Sequence, residues 1–442
     1  MTTLVKNATI INEGRRFVGS LLFGDDSILQ IFTQEQNLPS HADSVIDATG
    51  CFLLPGVIDE HVHFREPGMT NKGDIFSESQ AAAAGGVTSV FEMPNTNPPT
   101  TTLDCWQQKM DLAHNHCLVN YAFYFGATNN NASLLPQLDI HRICGVKLFM
   151  GSSTGNMLVD QDEALNAIFK LSPLLIVTHC EDTAVITRNA ADIKQVYGPN
   201  ADVKYHSAIR SAEACILSTQ KAIRMALQTG ARLHIAHVST AAELQLIRDA
   251  GPSVSAEACI SHLLFCEDDY PHFGTRIKCN PAVKTARDRD ELRRALSDDR
   301  ILTVATDHAP HLLSEKQGGA FSAASGMPMV QFSLPAMLSL ADHSVLSLER
   351  VVELMCHRPA RLFQVQKRGF IRPGFKADFV LLKHVSHVVS SSDILSKCGW
   401  SPLEGCTLQW TVDKTFCNGH LIYNNGNIDT NSRGEAVLFN RA

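Results

Sequence analysis

Short runs of apolar and β-branched residues alternate along the chain with stretches whose apolar residues recur at helical spacing. The β-rich runs lie near residues 53–63, 87–95, 118–127, 143–150, 174–181, 232–239, 254–262 and 302–310. Between most of them lie Ala-, Leu- and Glu-rich stretches such as 77–84, 211–228 and 241–249. Eight strands separated by helices are typical of a parallel β/α barrel. Because no G-x-G-x-x-G turn follows the first strand, an open doubly wound sheet is the second choice.

Both ends of the chain instead alternate apolar and polar residues with the period of two that marks β-strands. This pattern runs through residues 1–54 and again through residues 369–427. Neither end has enough strands to bury a core alone, so we expect the two ends to pair with each other. We therefore predict an α/β protein in which a TIM-type (β/α)8 barrel over residues 55–368 lies beside a small β-sandwich domain built from residues 1–54 and 369–442.

Composition and charge narrow the function classes. The 442 residues carry a formal net charge of −7 and no block of Lys or Arg, which argues against nucleic acid or an anionic membrane as a partner. No uninterrupted apolar run could span a bilayer, and the start MTTLVKNATIINEG lacks the basic and apolar regions of a secretion signal. The 13 cysteines contain no C-x-x-C pair and are odd in number, which is typical of reduced thiols. We therefore expect a cytoplasmic protein.

Polar side chains that can bind metals or transfer protons gather at the C-terminal ends of the predicted strands. These residues are His61, His63, Lys147, His179, His237 and Asp307 with His308. Barrel enzymes place their active sites at this edge of the barrel. A role in packing alone would scatter such residues along the strands, so their clustering predicts a catalytic site.

The histidines in this cluster predict a metal centre. His61 and His63 are two residues apart on a strand, so both imidazoles face the same side. Imidazole nitrogens suit Zn²⁺ or a similar transition ion. Taken alone, an H-x-H pair is more often structural, and a lone His179 or His237 is more often a core residue. The metal prediction therefore rests on their combination with an aspartate and a lysine.

Lys147 and Asp307 each allow two interpretations. Lys147 lies inside the apolar stretch GVKLFM, where burial would lower its pKa, and a neutral amine can react with CO₂ to form a carbamate that bridges two cations. Alternatively, Lys147 reaches solvent or pairs with an acid, and spacing alone leaves both possibilities open. Asp307, in ATDHAPH, is either a turn or capping residue or a carboxylate that moves a proton from a metal-activated water to a leaving nitrogen.

Further polar residues follow the same strands and could hold a substrate. Arg65 follows the first strand and Asn95 ends the second. Asn280 follows the seventh strand and His311 the eighth. An arginine, an amide and a histidine together could bind a carboxylate, the arginine as a bidentate fork. Taken singly, Arg65 and Asn95 are equally consistent with supporting or turn positions.

At these residues the sequence resembles the dihydroorotases of the amidohydrolase superfamily. The motifs that carry the resemblance are PGVIDEHVHFREPG (55–68), AAAAGGVTSVFEMPNTNPPT (81–100), GVKLFMGSSTGNMLVD (145–160), THCED (178–182), HIAHVST (234–240), KCNPAVK (278–284), ATDHAPH (305–311) and SKCGWSPLEG (396–405). They span almost the whole chain. HVHFREPG together with MPNTNP is the most specific part.

The resemblance implies a role for each candidate residue and a reaction. It implies six ligands for two divalent metal ions, with zinc as the expected metal: His61, His63 and Asp307 for the first, His179 and His237 for the second, and Lys147, carboxylated by CO₂ or bicarbonate, as the bridge. Asp307 is also the implied general acid/base. The implied substrate contacts are Arg65, Asn95, Asn280, His311 and Gly326. The implied reaction is the reversible ring closure of N-carbamoyl-L-aspartate to L-dihydroorotate in pyrimidine synthesis. A homodimer is expected, and a carbamoyltransferase is a candidate partner.

Alternatives and departures from the family pattern remain. Allantoinases share EPG, and dihydropyrimidinases or hydantoinases share the metal motifs but usually lack an arginine at the position of Arg65. A catalytically inactive barrel kept as a scaffold is a further alternative, although such proteins typically lose metal ligands. Many bacterial members carry an aspartate where Lys147 would bridge. The segment FSAASGMPMVQF (321–332) departs from the family's APFG-type substrate loop, and Gly326 is expected to keep its backbone role there.

Overall fold

The computed structural model describes residues 1–33, 38–151 and 157–441. Residues 152–156 of the motif GVKLFMGSSTGNMLVD therefore lie outside the described residues. Among the helices described, none combines the length and the hydropathy that crossing a lipid bilayer requires.

Five strands at the N-terminus begin a mixed sheet: β1 (Thr2–Asn12), β2 (Arg15–Gly24), β3 (Ser27–Phe32), β4 (Ser44–Asp47) and β5 (Phe52–Pro55). β1, β2 and β3 form an antiparallel meander, whereas β4 and β5 run parallel to β1. Asn7 has a left-handed backbone with φ 62°, at the point where the pairing of β1 with β2 shifts register. β1 bends at such an irregularity, so its first half pairs with β4 and its second half with β5.

The barrel follows directly. Its strand segments are β6 (Val57–Val62), β7 (Val87–Glu92), β8 (Asn120–Phe123), β9 (Phe125–Gly126), β10 (Val146–Phe149), β11 (Ile176–His179), β12 (Leu233–Ile235), β13 (Val254–Cys259) and β14 (Thr303–Ala305). β8 and β9 are two parts of one strand interrupted at Tyr124, so the described residues form eight barrel strands. Neighbouring strands pair in parallel, and a bridge between Val62 and His308 joins the first strand to the last. The predicted TIM-type barrel is confirmed.

Helices lie between the barrel strands and follow them. They are α1 (Ile75–Ala84), α2 (Leu103–His116), α3 (Asp162–Leu171), α4 (Thr183–Tyr197), α5 (His206–Ile209), α6 (Ala212–Thr229), α7 (Ala241–Asp249), α8 (Ile260–Leu264), α9 (Tyr270–Phe273), α10 (Ala286–Ala295), α11 (Ser333–Asp342), α12 (Leu348–Val352) and α13 (Arg358–Phe363). Side chains that accept a backbone N–H begin several of them, for example Asp74 before α1 and Thr240 before α7. Such caps fix where these helices begin after the loops that follow β6 and β12.

The two faces of each barrel strand enter different cores. Val146 and Ile176 share one buried cluster with Leu165 and Ile168 of α3, outside the barrel. Alternate residues face inward, and Val177 belongs to a second cluster that fills the interior. Toward the C-terminal strand ends the inward side chains become polar. This change of polarity marks the candidate site.

Six further strands lie after the barrel: β15 (Phe379–Lys383), β16 (His387–Val388), β17 (Thr407–Leu408), β18 (Thr411–Cys417), β19 (His420–Asn424) and β20 (Asn427–Ile428). β15 pairs with β5, so strands from both chain ends form one nine-stranded sheet. The sheet curls over itself, because the ring of Phe23 lies 5.3 Å from Phe379 and 5.5 Å from Phe416 although these strands are not neighbours. The predicted pairing of the two ends is confirmed.

The last described residues leave this sheet and lie against the barrel. Ala436 forms a bridge with Tyr121, and Phe439 forms one with Val365. The ring of Phe439 lies 5.7 Å from that of Phe91 inside the barrel, so apolar packing holds the segment there. The boundaries 55–368 and 1–54 plus 369–442 stay a prediction.

Candidate active site

One pocket at the C-terminal end of the barrel strands contains every residue to which the resemblance assigned a role. Its wall includes His61, His63, Arg65, Asn95, Lys147, His179, His237, Asn280, Asp307, His311 and Gly326. Phe149, Ala309 and Ser325 complete the lining. Side chains that lie far apart in the chain therefore share one cavity.

His61, His63 and Asp307 form one group of potential ligand atoms. The Nε2 atoms of His61 and His63 lie 3.3 and 3.0 Å from Asp307 Oδ1. Behind the rings, His61 Nδ1 lies 2.8 Å from Glu257 Oε1, and His63 Nδ1 lies 2.7 Å from Asn95 Oδ1. The oxygens of Glu257 and Asn95 accept from Nδ1 in the tautomer that leaves each Nε2 with a lone pair, which is the tautomer that a metal ion at Nε2 requires. This group could hold a metal ion.

His179 and His237 supply a second pair of nitrogens. His179 Nδ1 and His237 Nε2 lie 3.0 Å apart, near the separation of about 3.3 Å between two nitrogens on one tetrahedral zinc ion. On the other side of its ring, His179 Nε2 lies 3.0 Å from Glu181 Oε2, which also contacts Arg210. The rings of His61 and His237 are 5.3 Å apart, so the two nitrogen groups are neighbours.

Lys147 lies among these groups on β10. Its side chain is fully buried, and within the described residues Nζ has no hydrogen-bond partner. The ring of Phe149 lies beside it, with its centroid 5.2 Å from Nζ. Burial lowers the pKa of Lys147, although the charges of Glu257 and Asp307 oppose this. The alternatives in which Lys147 reaches solvent or pairs with an acid do not fit this position.

Burial also keeps the four imidazoles neutral, whereas the aspartate is ionised. Desolvation lowers the pKa of His63 and His179 and places those of His61 and His237 well below the usual value. A neutral imidazole retains the lone pair that a metal requires. Burial alone would raise the pKa of Asp307, but the ring nitrogens of His61 and His63, where they share a proton with the carboxylate, outweigh burial and lower this pKa to about 2. At neutral pH the site presents uncharged nitrogens around a carboxylate.

Three pocket residues have left-handed backbones that residues other than glycine rarely adopt. They are Arg65 with φ 70°, His237 with φ 38° and Asp307 with φ 47°. Each such conformation costs about 1–3 kcal/mol and persists only where surrounding contacts impose it. Beside Asp307, the hydroxyl of Thr306 donates to buried Asp59 at 2.6 Å. Strain of this kind clusters at functional sites, which supports a catalytic role for the pocket.

Arg65 and His311 lie together on the pocket wall, as a carboxylate clamp requires. Arg65 Nε donates to Pro310 O at 3.0 Å, and Nη2 lies 3.1 Å from His311 Nε2. Lys72 Nζ lies 3.2 Å from the other ring nitrogen of His311. Burial, followed by these two cations, lowers the pKa of His311 to about 2, so the ring is neutral. Among the described residues no carboxylate forms an ion pair with Arg65, which leaves its charge to the pocket.

Asn280 and Gly326 also reach the pocket. Asn280 Oδ1 lies 3.1 Å from His206 Nε2. Gly326 has φ 142°, and a Cβ there would lie 2.6 Å from Ala309 O, so a side chain does not fit. This close approach explains why glycine is needed at that point of the unusual segment 321–332.

Sequence reasoning missed the residues that hold the imidazoles from behind. Glu257 is fully buried, and its Oε1 accepts from His61 Nδ1 and from the backbone N–H of His237, both at 2.8 Å. Asn95 was predicted to contact substrate, yet its Oδ1 is also the partner of His63 Nδ1. The sequence feature that could have identified Glu257 is its position as a charged residue inside the otherwise largely apolar run VSAEAC.

His308, which the sequence placed beside Asp307 in the polar cluster, faces away from the pocket. Its Nε2 lies 2.8 Å from the Oε2 of buried Glu78, which also accepts from the Ser396 hydroxyl. His308 therefore connects the strand end that bears Asp307 to α1 and to the loop between β16 and β17 that contains Ser396.

Comparisons with known proteins show which family this chain resembles over most of its length. The profile of the amidohydrolase family matches residues 52–422. A dihydroorotase of Methanosarcina acetivorans is 32% identical over 412 residues, which cover 90% of this chain and 87% of that protein. A dihydroorotase of Halobacterium salinarum is 35% identical over 371 residues, covering 81% and 84%. The solved structure of an L-hydantoinase (dihydropyrimidinase) from Arthrobacter aurescens has a TM-score of 0.91 and 29% identity, and the match covers 96% of this chain and 97% of that one.

These matches confirm the resemblance that the motifs indicated and the prediction of a hydrolase. Both dihydroorotases exceed 30% identity over more than two thirds of this chain. The family profile also spans well over half of it. The chain belongs to the amidohydrolase family.

Proposed function

We propose that this protein is a dihydroorotase that interconverts N-carbamoyl-L-aspartate and L-dihydroorotate. The observation that carries the proposal is Arg65, a buried cation whose charge faces the same pocket as the candidate metal ligands. Both compounds bear a carboxylate that remains outside the reacting ring amide, and a guanidinium binds such a group as a fork. The relatives named dihydroorotase support the same choice.

We further propose that the pocket holds two divalent ions, zinc in the first place, bridged by a carbamate on Lys147. The donor set fits: His61 and His63 present Nε2 with Asp307, and His179 and His237 present a second nitrogen pair. The buried amine of Lys147 has a lowered pKa, as reaction with CO₂ requires. Two such ions lower the pKa of water and polarise a carbonyl oxygen.

Asp307 then moves the proton in both directions. Its carboxylate is ionised at neutral pH, so it can accept the proton of the water that attacks the ring amide carbonyl. As the C–N bond breaks, Asp307 donates this proton to the departing nitrogen, and ring closure follows the reverse order. Arg65 and neutral His311 hold the carboxylate, with Pro310 O orienting the guanidinium through its Nε. The ring amide is thereby presented to Asp307.

The setting of the reaction belongs to the same proposal. The substrate is a small molecule, and we propose that the enzyme acts in the cytoplasm as a homodimer. A carbamoyltransferase that makes N-carbamoyl-L-aspartate is the proposed partner enzyme. Light scattering of the protein alone tests the homodimer. Light scattering of its mixture with a carbamoyltransferase tests the partnership.

A hydantoinase or dihydropyrimidinase is the second candidate, because the structural match to the L-hydantoinase covers nearly the whole of both chains. The positive charge of Arg65 in the pocket distinguishes the two candidate activities, since hydantoins and dihydrouracil lack the carboxylate that Arg65 would bind. The metal-loaded protein is assayed in parallel on dihydroorotate, allantoin, dihydrouracil and hydantoin. Turnover of dihydroorotate with at least about a hundredfold preference in kcat/KM supports the proposal. Preference for allantoin or a neutral ring overturns it, and no turnover of any substrate supports the inactive scaffold.

The variant Arg65→Met is expected to lower kcat/KM for dihydroorotate by about 10²–10³-fold, because a buried charge-assisted contact to the carboxylate is lost. Metal content is expected to stay unchanged, since Arg65 contacts Pro310 and His311 rather than the ligand atoms. Steady-state kinetics and metal analysis of the same preparation measure both. Equal losses of metal and activity would contradict the assigned role.

The variant Glu257→Gln is expected to lower the affinity for divalent ions about 10–100-fold, because residues that orient ligating histidines have effects of this size. An amide in place of the carboxylate weakens the contacts to His61 Nδ1 and the backbone of His237. Retention of metal during dialysis against a chelator measures the change. Glu243→Gln is the matched control, since Glu243 is equally buried but accepts from hydroxyls such as that of Thr219 outside the pocket. Equal metal loss in both variants would assign the effect to folding.

A further inference from the structure

Lys316 is a buried lysine that lies next to the pocket without lining it. It is only 1% exposed, and its ammonium donates to three backbone carbonyls. The distances are 3.0 Å to Lys278 O, 2.8 Å to Ala324 O and 2.9 Å to Gly326 O. An ammonium has three N–H donors, so these carbonyls use all of them. Among the described residues no carboxylate forms an ion pair with Lys316.

The three carbonyls belong to two segments that form part of the pocket wall. Lys278 lies two residues before Asn280, and Ala324 and Gly326 flank Ser325. The backbone N–H of Gly326 also donates to Lys278 O at 2.9 Å. The Lys316 ammonium therefore hydrogen-bonds both wall segments, the one before Asn280 and the one around Ser325, and holds them together.

This junction also fixes the distance between the wall and the carboxylate clamp. A Cβ on Gly326 would lie 2.6 Å from Ala309 O and 3.0 Å from His311 Cδ2, so the loop is pressed against the clamp. Lys316 Nζ lies 5.7 Å from the ring centroid of Trp400, whose Nε1 donates to His311 O at 2.7 Å. Lys316 thus contacts both the loop and the residue that supports His311.

We propose that Lys316 is a positioning residue for the substrate, holding the backbone of Ser325 and Gly326 at the place where the bound ring meets the pocket wall. The inference rests on the proposed function, because it concerns the fit of dihydroorotate in that pocket. Burying an unpaired lysine is costly unless its N–H groups are all used. Packing alone would be served by an apolar side chain of the same length. A tripod of backbone carbonyls instead defines one loop position, which is what orientation of a reactant requires.

The test is Lys316→Met, which keeps the length of the side chain and removes its three donors. The expected result is a rise in KM for dihydroorotate of about 10–100-fold with kcat changed by less than about threefold, because the loop orients the ring but transfers no proton. Metal content is expected to stay at the wild-type value. Hydrogen exchange of the Gly326 amide is expected to accelerate, while exchange in β6 and β10 is unchanged. Lys221→Met, on the outer helix α6 where Lys221 pairs with exposed Asp162, is the control and is expected to change none of these.

Each outcome is decisive for the inference. An unchanged KM, or kcat and metal content falling together, assigns Lys316 to folding alone and overturns the proposal. If Lys316→Met does not fold, hydrogen exchange of the wild-type protein tests the inference. Bound dihydroorotate is then expected to slow exchange of the backbone amides of Ser325 and Gly326. No slowing overturns the inference. Failure of the wild-type protein to turn over dihydroorotate overturns the proposed function instead, so the two failures are distinguishable.

Discussion

Replacement of Lys147 by alanine is expected to reduce turnover of dihydroorotate about a thousandfold or more, since the loss of an ion that polarises the substrate removes several kcal/mol of transition-state stabilisation. The variant is expected to retain fewer than two metal ions per chain. His179 and His237 alone offer two nitrogens, too few for an ion that prefers four ligands. Metal analysis of the purified variant, alongside kinetics, measures both effects.

The surroundings of Lys147 make this expectation specific. Another fully buried lysine, Lys109, has polar partners, because its ammonium contacts the carboxylate of Glu92 and donates to Met93 O at 3.0 Å. Lys109 therefore has the partners that a structural buried cation requires. Lys147 has none among the described residues, and the charged groups near it are those of the candidate metal site. The proposed carbamate, held by two cations, would give this buried nitrogen the partners that it lacks in the described residues.

Short carboxylic acids provide the sharpest control for Lys147→Ala. Acetate or propionate can enter the space left by the side chain and supply two oxygens, so they are expected to restore part of the activity and the second metal. Lys109→Ala leaves Glu92 unpaired, and it is expected to lower the Tm without any response to acetate. Labelled bicarbonate is expected to add a carbamate carbon to the wild-type protein and not to Lys147→Ala. An alanine variant that stays active with two metals bound would show that Lys147 is a bystander.

Much of the fold was accessible from the sequence because barrel strands are short and separated by helices. Each of the eight apolar runs became a barrel strand. Both chain ends joined in one sheet because neither carried enough strands to bury a core. The curling of that sheet was not accessible, since the contact of Phe23 with Phe416 joins residues almost at opposite ends of the chain.

Part of the candidate site could also be predicted from the sequence, and part could not. Residues at strand ends share a pocket because parallel strands place their C-terminal ends at one edge, so His179 and His237 could be placed together from their positions alone. Glu257 could not be identified in this way, because a glutamate within a buried strand has no spacing that marks it as a partner of His61. The second contact of Asn95, to His63, likewise depends on side-chain direction, which the pattern of polar residues does not contain.

The variant Asp307→Asn is expected to lower kcat in both directions by about 10²–10⁴-fold, the usual contribution of a general acid/base. Asparagine keeps the shape and one oxygen facing the Nε2 atoms of His61 and His63, so most of the metal is expected to remain bound. It cannot accept a proton from water or donate one to a leaving nitrogen as an acid.

The decisive readout for Asp307→Asn is the comparison of turnover with metal content in one preparation. The proton transfer is assigned to Asp307 if activity is lost while the variant retains at least about one and a half metal ions per chain, as expected when the other metal ligands are unchanged. The buried Asp59 provides the control, since it lies behind the strand end, where it accepts the Thr306 hydroxyl at 2.6 Å. Asp59→Asn keeps an oxygen for that contact and is expected to lower the Tm more than kcat. If Asp307→Asn turned over dihydroorotate at the wild-type rate, another group would have to move the proton, and the strained backbone of Asp307 would then serve only to bind metal.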